Sequence, residues 1–211
     1  MRDISARLTE GRSGSVPAVD HERAERQLQV ICDVLAIALE NAVEVWLRGG
    51  WAMDFFLGQV TRDHADIDWF AWADDAPVIR AALLERGYHV MPGGSPELGL
   101  DAVKDGEDWD FQFEWLATDS AGQVVVPAGP HAGEPWPEGM LTWEPGQIGQ
   151  LRCPIISPLA QIEIKEMMPV WVPRFPRRPK DAEDIAQLRA GLRAGASVGP
   201  HAVVDTERSG A

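Results

Sequence analysis

Apolar residues recur along this chain with two different periods, and the switches between them outline the elements. From His21 to about Ala42, Leu28, Ile31, Leu35 and Leu39, joined by Val34 and Ala38, repeat at helical spacing and predict a helix with one apolar stripe. Val43 to Leu47 is then a β-branched and aromatic run, the mark of a strand, and it stops at Gly49 and Gly50, where the chain can turn tightly. Trp51 and Phe55, with Met53 and Leu57, return to helix-like spacing until Gly58. Asp66 to Phe70 reads as strand again. Successive strand side chains face opposite ways, so Asp66 and Asp68 share one face while Ile67 and Trp69 point into a core.

The second half repeats this alternation. A helix over 76–86, headed by Asp74 or Asp75 with Pro77 in its first turn, would bury Ile79, Leu83 and Leu84 and end at Gly87. Tyr88 to Met91 is a short strand halted by Pro92-Gly93-Gly94. Leu98–Lys104 and Trp109–Ala117 flank Asp105-Gly106, which predicts an antiparallel hairpin, and Asp119–Gly122 turns the chain into Gln123–Val126. The second arm of the hairpin is sorted by face: Trp109, Phe111, Phe113 and Trp115 on one side, Asp110, Gln112 and Glu114 on the other. Residues 127–147, rich in Pro and Gly, form a long loop with room for one strand, the kind of segment that borders a cleft. Ile148 to Cys153 reads as a last short strand. Ser157-Pro158 opens a helix running to about Met168 and ended by Pro169; a connector over 173–179 precedes a final helix from Lys180 to about Leu192.

The pattern defines an α/β (α+β) fold: a mixed, mostly antiparallel sheet with helices on one side and a small C-terminal helical portion closing a cleft. Residues 1–20 form a flexible N-terminal segment, 21–147 the core, 148–194 the C-terminal strand and helices, and 195–211 a disordered tail.

Composition narrows the partners. A chain of 211 residues fits one domain, and nine tryptophans point to large aromatic surfaces in core or cleft. A net charge of −14 argues against nucleic acid as the main partner; it suits a cationic small molecule and equally serves solubility. Cys32 and Cys153 are the only cysteines and read as free thiols in a reducing compartment. With no signal core and no apolar span long enough to cross a bilayer, the expected location is cytoplasmic.

Asp66 and Asp68, side by side on one strand, repel each other unless a cation lies between them, and oxygen-only ligation suits Mg²⁺, which takes one or two protein carboxylates plus substrate phosphates. The Gly49-Gly50 turn offers free backbone N–H groups to a phosphate just ahead. Gly49-Gly50-Trp51, Asp54 and Thr61-Arg62-Asp63-His64-Ala65-Asp66-Ile67-Asp68 together resemble the nucleotidyltransferases of the polymerase-beta-like superfamily, in particular the branch of aminoglycoside 2″-adenylyltransferases and lincosamide nucleotidyltransferases. The resemblance is strongest over 46–70 and follows the order of elements through about 28–190.

That resemblance implies a nucleotidyltransferase-type mixed β-sheet flanked by helices, and a third metal carboxylate on a following strand, which would be Asp110, with Glu114 as the fallback. Two Mg²⁺ ions would bridge Asp66, Asp68 and Asp110 to the phosphates of ATP or another nucleoside triphosphate. An acidic chain must build a local positive site for a triphosphate, and Arg62 and Lys180 are the cations placed there. Ser157-Pro158, Lys165 and the run Arg178-Pro179-Lys180-Asp181-Ala182-Glu183-Asp184 resemble the family's C-terminal helices, in which a lysine on the first and an Arg-Pro-Lys-Asp start of the second face the active site. His64 either braces the loop or touches phosphate; five histidines without ligand spacing exclude a zinc site. Two departures stand out: Leu159 replaces the acidic residue usual after Ser157-Pro158, and Glu163 sits at a usually apolar position, as an acceptor-side base or as part of a solvated helix face.

The function read from this is Mg²⁺-dependent transfer of a nucleotidyl group, AMP by resemblance, to a hydroxyl of a small polar molecule such as an aminoglycoside or lincosamide antibiotic. AMP transfer to a protein and a silent nucleotide-binding protein are the alternatives. An acceptor wall carrying Glu114, Glu134, Glu138, Glu144, Glu163 and Glu166 would favour a cationic amino-sugar.

Overall fold

The structure, a computed structural model, describes residues 19–195. The flexible segment expected over 1–20 and the disordered tail expected over 195–211 therefore lie almost wholly outside the described residues.

Helix α1 (His21–Asn41) starts where the Asp20 side chain accepts the Arg23 N–H and stops at Ala42, in the left-handed region at φ 54°. Its buried stripe is Ala24, Gln27, Val30, Ile31, Val34, Ile37 and Ala38. The expected stripe was centred about one position away, and Leu39 is 84% exposed. Both stripes contain Ile31, Val34 and Ala38; the small Ala24 and Ala38 allow the helix to sit close on the observed face, with Leu28 and Leu35 at its margin.

Strand β1 (Val45–Arg48) runs directly into α2 (Gly49–Leu57), and β2 (Ile67–Trp72) follows the loop. After one 3-10 turn come α3 (Ala76–Glu85) and strands β3 (Tyr88–Val90), β4 (Gly99–Lys104), β5 (Phe111–Thr118) and β6 (Val124–Val125). In α3, Ile79 and Leu83 are buried, but Leu84, turned about 100° further round the helix, is half exposed. The main sheet has the order β1-β2-β5-β4-β3, with β6 on β5. All pairs are antiparallel except β2 with β5.

The run 148–153 is not one strand. Strands β7 (Gly146–Ile148) and β8 (Leu151–Cys153) form a separate antiparallel hairpin, turning at Gly149 with φ 58°. Helix α4 (Pro158–Trp171), capped by Ser157, also continues through Pro169 instead of ending there. Proline removes one helical hydrogen bond and crowds the turn before it; in the last turn few bonds remain to lose, and Val172 N–H still reaches Met168 O. Helix α5 is Pro179–Arg193.

The two faces of the sheet are covered differently. Ile67, Trp69, Phe111, Phe113 and Trp115 face the main core under α1, α2 and α3. The opposite face splits. Trp46, Phe70 and Leu116 are sealed by Trp136, Met140, Ile156, Ala160 and Ile164, while the end carrying Asp66, Asp68 and Asp110 stays polar. Met53, Ile162, Ile185 and Leu188 join α2 to α4 and α5 in a third cluster, so the C-terminal helices lie against the helix that follows the glycine pair. Cys32 and Cys153 are free thiols, and burial pushes the Cys153 thiol well up. No helix among the described residues is long and apolar enough to cross a membrane.

Candidate active site

The parallel register of β2 and β5 assembles the carboxylates. Ile67 pairs with Phe111, so Asp66 and Asp110 stand together one residue before the paired segment, with Ile67 N–H on Asp110 O at 3.4 Å. Asp68 lies opposite Gln112, whose side-chain amide donates to Asp68 Oδ1, and opposite Arg48 on the other side. Burial pushes the Asp66 carboxyl up, as do the nearby charges of Asp68 and Asp110; Lys180 and Arg178 pull it back. The three acids expected at the site are thus within electrostatic reach of one another and of two cations. Among the described residues no three Asp, Glu, His or Cys side chains form a ready-made metal cage. The donor chemistry nonetheless suits a hard divalent cation, because the like-charge repulsion bearing on Asp66 is what such an ion would relieve.

Each glycine of the pair is explained by a neighbouring side chain. Gly49 opens α2 with φ 70°, and a Cβ on it would run into Asp68 Oδ2. A Cβ on Gly50 would strike the His64 ring and come within 2.8 Å of Arg62 Nη2. The bare Cα atoms therefore admit Asp68, His64 and Arg62 close to the start of α2, where free N–H groups are exposed.

Behind that turn lies a buried polar chain. Asp54 of α2 is fully buried and accepts from Thr61 N–H, Thr61 hydroxyl and His64, whose Nε2 is 2.7 Å from Asp54 Oδ2. The other ring nitrogen, Nδ1, is 3.1 Å from Arg62 Nη1. Arg62 Nη1 also donates to Asp63 O, and the rest of its guanidinium grips Asp184 of α5, which is gripped again by Lys165 of α4 at 2.8 Å. His64 is thus a brace between Asp54 and Arg62. Lys180 makes no ion pair within 4 Å among the described residues, and its charge falls on Asp66; Arg178 is paired with Asp181 at 3.0 Å.

Asp54 and Asp184 had no role assigned in the sequence. The signal was present: Asp54 sits in an otherwise apolar helix beside Phe55, and Asp181, Asp184, Ile185 and Leu188 share one buried face of α5. A carboxylate on an apolar stripe implies a partner, since an unpaired buried charge is very costly.

On the expected acceptor side the picture is less acidic than the residue types imply. Glu114 is paired with Arg48, whose guanidinium lies 4.6 Å over the Phe70 ring. Burial lowers the basicity of Arg48, against the pull of Asp68 and Asp66. Glu166 pairs with Arg189 and Glu134 with His131. Glu163 is exposed between buried Ile162 and Ile164. The structure groups Asp66, Asp68 and Asp110, and separately Gly50, Arg62, His64 and Lys165; it does not bring Glu163 into either group through any ion pair or hydrogen bond among the described residues.

A mixed sheet that presents acidic side chains from neighbouring strands beside a glycine turn is the arrangement of the nucleotidyltransferase fold. The structure superposes on the solution structure of the antibiotic-resistance factor ANT(2'')-Ia with a TM-score of 0.63 and 25% identity, covering 82% of this chain and 87% of the other. It matches the crystal structure of ANT(2")-Ia in complex with adenylyl-2"-tobramycin with a TM-score of 0.61 and 27% identity, over 80% and 91% of the two chains. The model of the aminoglycoside-2''-adenylyltransferase family matches residues 30–188. The chain belongs to that family. It is 50% identical over 110 residues to a 2''-aminoglycoside nucleotidyltransferase of Escherichia coli, a stretch that is 51% of this chain and only 61% of the relative's length.

Proposed function

We propose that the protein transfers AMP from ATP to a hydroxyl of an aminoglycoside. Membership of the family supports this, as does likeness to a structure holding adenylylated tobramycin. The observation that carries it is the placing of Asp66, Asp68 and Asp110 on adjacent strand ends, with Arg178 and Lys180 close enough to act on Asp66.

In this reading Asp66, Asp68 and Asp110 would hold Mg²⁺, which would supply charge neutralisation at the phosphates of the nucleotide. The chain's own residues do the rest. The start of α2 offers N–H groups to phosphate oxygens, and Arg62, Lys165 and Lys180 supply positive charge in an acidic protein. Positioning of this kind accounts for most of the acceleration in phosphoryl-type transfer. Glu114, paired with Arg48, faces the acceptor as a dipolar pair that can accept from and donate to a sugar. The aminoglycoside is preferred to a lincosamide because the matching family is the aminoglycoside one. The two free thiols support a reducing, cytoplasmic setting.

The test is incubation with Mg²⁺, each of the four nucleoside triphosphates in turn and a panel of aminoglycosides and lincosamides, read by mass spectrometry. Gain of one AMP on an aminoglycoside, dependent on ATP, is the expected result. Absence of any nucleotidylated antibiotic would overturn the reading.

A further inference from the structure

We propose that Asp184 is a positioning residue for the nucleotide: it binds Arg62 and Lys165 into one unit whose spare N–H groups receive the triphosphate. This rests on the function proposed above. Asp184 stands on the buried face of α5 beside Ile185 and Leu188, and its side chain is 1% exposed. Water does not solvate it there, so its charge persists only through its partners. Arg62 supplies Nε at 3.3 Å from Oδ1 and Nη2 at 3.1 Å from Oδ2, a two-pronged grip, and Lys165 Nζ adds a third donor to Oδ2 at 2.8 Å.

Among the described residues, donor capacity remains on the cations. Of the five N–H groups of Arg62, Nε spends one on Asp184, Nη1 spends two on Asp63 O and His64 Nδ1, and Nη2 spends one on Asp184, leaving one. Lys165 has three and gives one to Asp184, leaving two. Arg62 is also the outermost member, with 25% of its side chain exposed against 9% for Lys165 and 1% for Asp184. The carboxylate lies behind and the guanidinium in front, at the point where a Cβ on Gly50 would meet Arg62 Nη2. Ion pairs join three cations, Arg62, Lys165 and Arg178, to two carboxylates, Asp181 and Asp184.

The physical effect is pre-organisation. Without Asp184, two long cationic side chains would repel each other and sample many rotamers, and ordering them would weaken nucleotide binding. His64 completes the restraint. Its Nε2–H donates to Asp54 and its Nδ1 accepts from Arg62, so the ring holds Nη1 while Asp184 holds Nε and Nη2.

The test compares the whole chain with Asp184→Asn, measuring KM for ATP, KM for the aminoglycoside, kcat, and ATP affinity by calorimetry without acceptor. The expected result is a rise of tenfold or more in ATP KM and Kd, with acceptor KM within twofold, and partial recovery in Asp184→Glu. An unchanged ATP Kd in folded Asp184→Asn overturns the proposal, as does an equal rise in both KM values, which marks a purely structural role. If Asp184→Asn does not fold, Arg62→Gln, Lys165→Met and the double variant decide. Single effects on ATP Kd that fail to multiply in the double support one unit held by Asp184, and effects that multiply overturn it. The calorimetric readout keeps the two readings apart: wild type that adenylylates no antibiotic yet loses ATP affinity on Asp184→Asn would sink the function and leave the positioning role standing.

Discussion

Asp68 rests its carboxylate against the bare Cα of Gly49, in the space a side chain there would fill. The glycine is needed twice over, for its φ of 70° and for this close approach. Gly49→Ala should cost about 1–2 kcal/mol from the left-handed backbone alone and should displace Asp68 as well. Gly58→Ala is the control: its φ is 78°, but the nearest atom to its Cβ is Gln147 O at 3.7 Å. Urea denaturation should show a loss of stability in both variants. Nucleotide transfer should collapse only in Gly49→Ala, and equal transfer in the two would mean that Asp68 does not depend on the glycine.

Asp66→Asn and Asp68→Asn should each reduce Mg²⁺-dependent pyrophosphate release by orders of magnitude while the melting temperature holds or rises. The rise is expected at Asp66, whose ionised form is opposed by burial and by Asp68 and Asp110. A variant that melts unchanged and still turns over normally would remove that residue from the reacting group.

Neutralising the acceptor wall should have unequal effects. Glu114 is already matched by Arg48, so Glu114→Gln strands a half-buried guanidinium and should act on stability at least as much as on acceptor KM. Glu163 has no such partner among the described residues and lies exposed; Glu163→Gln should change neither by more than about twofold, within the small range of exposed charges. Acceptor KM should then vary only mildly with salt, and a steep salt dependence would restore the acidic-wall view.

The acid limb of stability should carry the signature of Asp184. Burial alone would raise this carboxyl, but the Arg62 hydrogen bond and the Lys165 charge and hydrogen bond hold it below the ordinary range. A carboxyl whose folded value is depressed stabilises the fold fully above its unfolded value of about 3.9. That contribution drains away as pH falls through the interval below. Asp181, held down by Arg178, acts in the same sense. Urea midpoints should fall below about pH 4, and the slope should be shallower in Asp184→Asn; parallel curves would refute the assignment.

Away from the site, Tyr88 is buried and its hydroxyl donates to Asp33 Oδ2 at 2.6 Å. Tyr88→Phe should cost about 1 kcal/mol for a partly exposed acceptor and should raise the Asp33 carboxyl, which this hydrogen bond helps to hold down. An NMR titration of Asp33 that does not move would contradict this.

Much of the arrangement was legible because two periods carry it. The alternation in Asp66–Phe70 and in Trp109–Trp115 fixed which face is acidic, and the Asp105-Gly106 turn fixed the hairpin. The parts that could not be read from spacing were those decided by long-range partners. Leu39 and Leu84 follow helical periods yet are 84% and 50% exposed among the described residues, because the packing partners that choose the buried face are distant in sequence. Pro169 stays in its helix because position within the helix, not residue type, sets the cost. Asp54 and Asp184 lie inside the resembling stretches but their roles could not be read there, because a lone carboxylate announces a partner without naming it, and their partners lie 10 and 122 residues away in His64 and Arg62.

The parallel pairing of β2 with β5 has a consequence for how the protein comes to exist. Asp66 and Asp68 arrive on β2, but Asp110 is set beside them only when β5 zips alongside, after α3, β3 and β4 have been threaded between. Closing so long a loop is among the slower events available to a chain of this size. A chain stalled or cut before residue 110 would hold Asp66 and Asp68 without Asp110, with the apolar side of β2 still uncovered by Phe111 and Phe113. The contact that covers the open edge of β2 is thus the one that brings the three acids together, while Lys165, Lys180 and Asp184 arrive later, on α4 and α5.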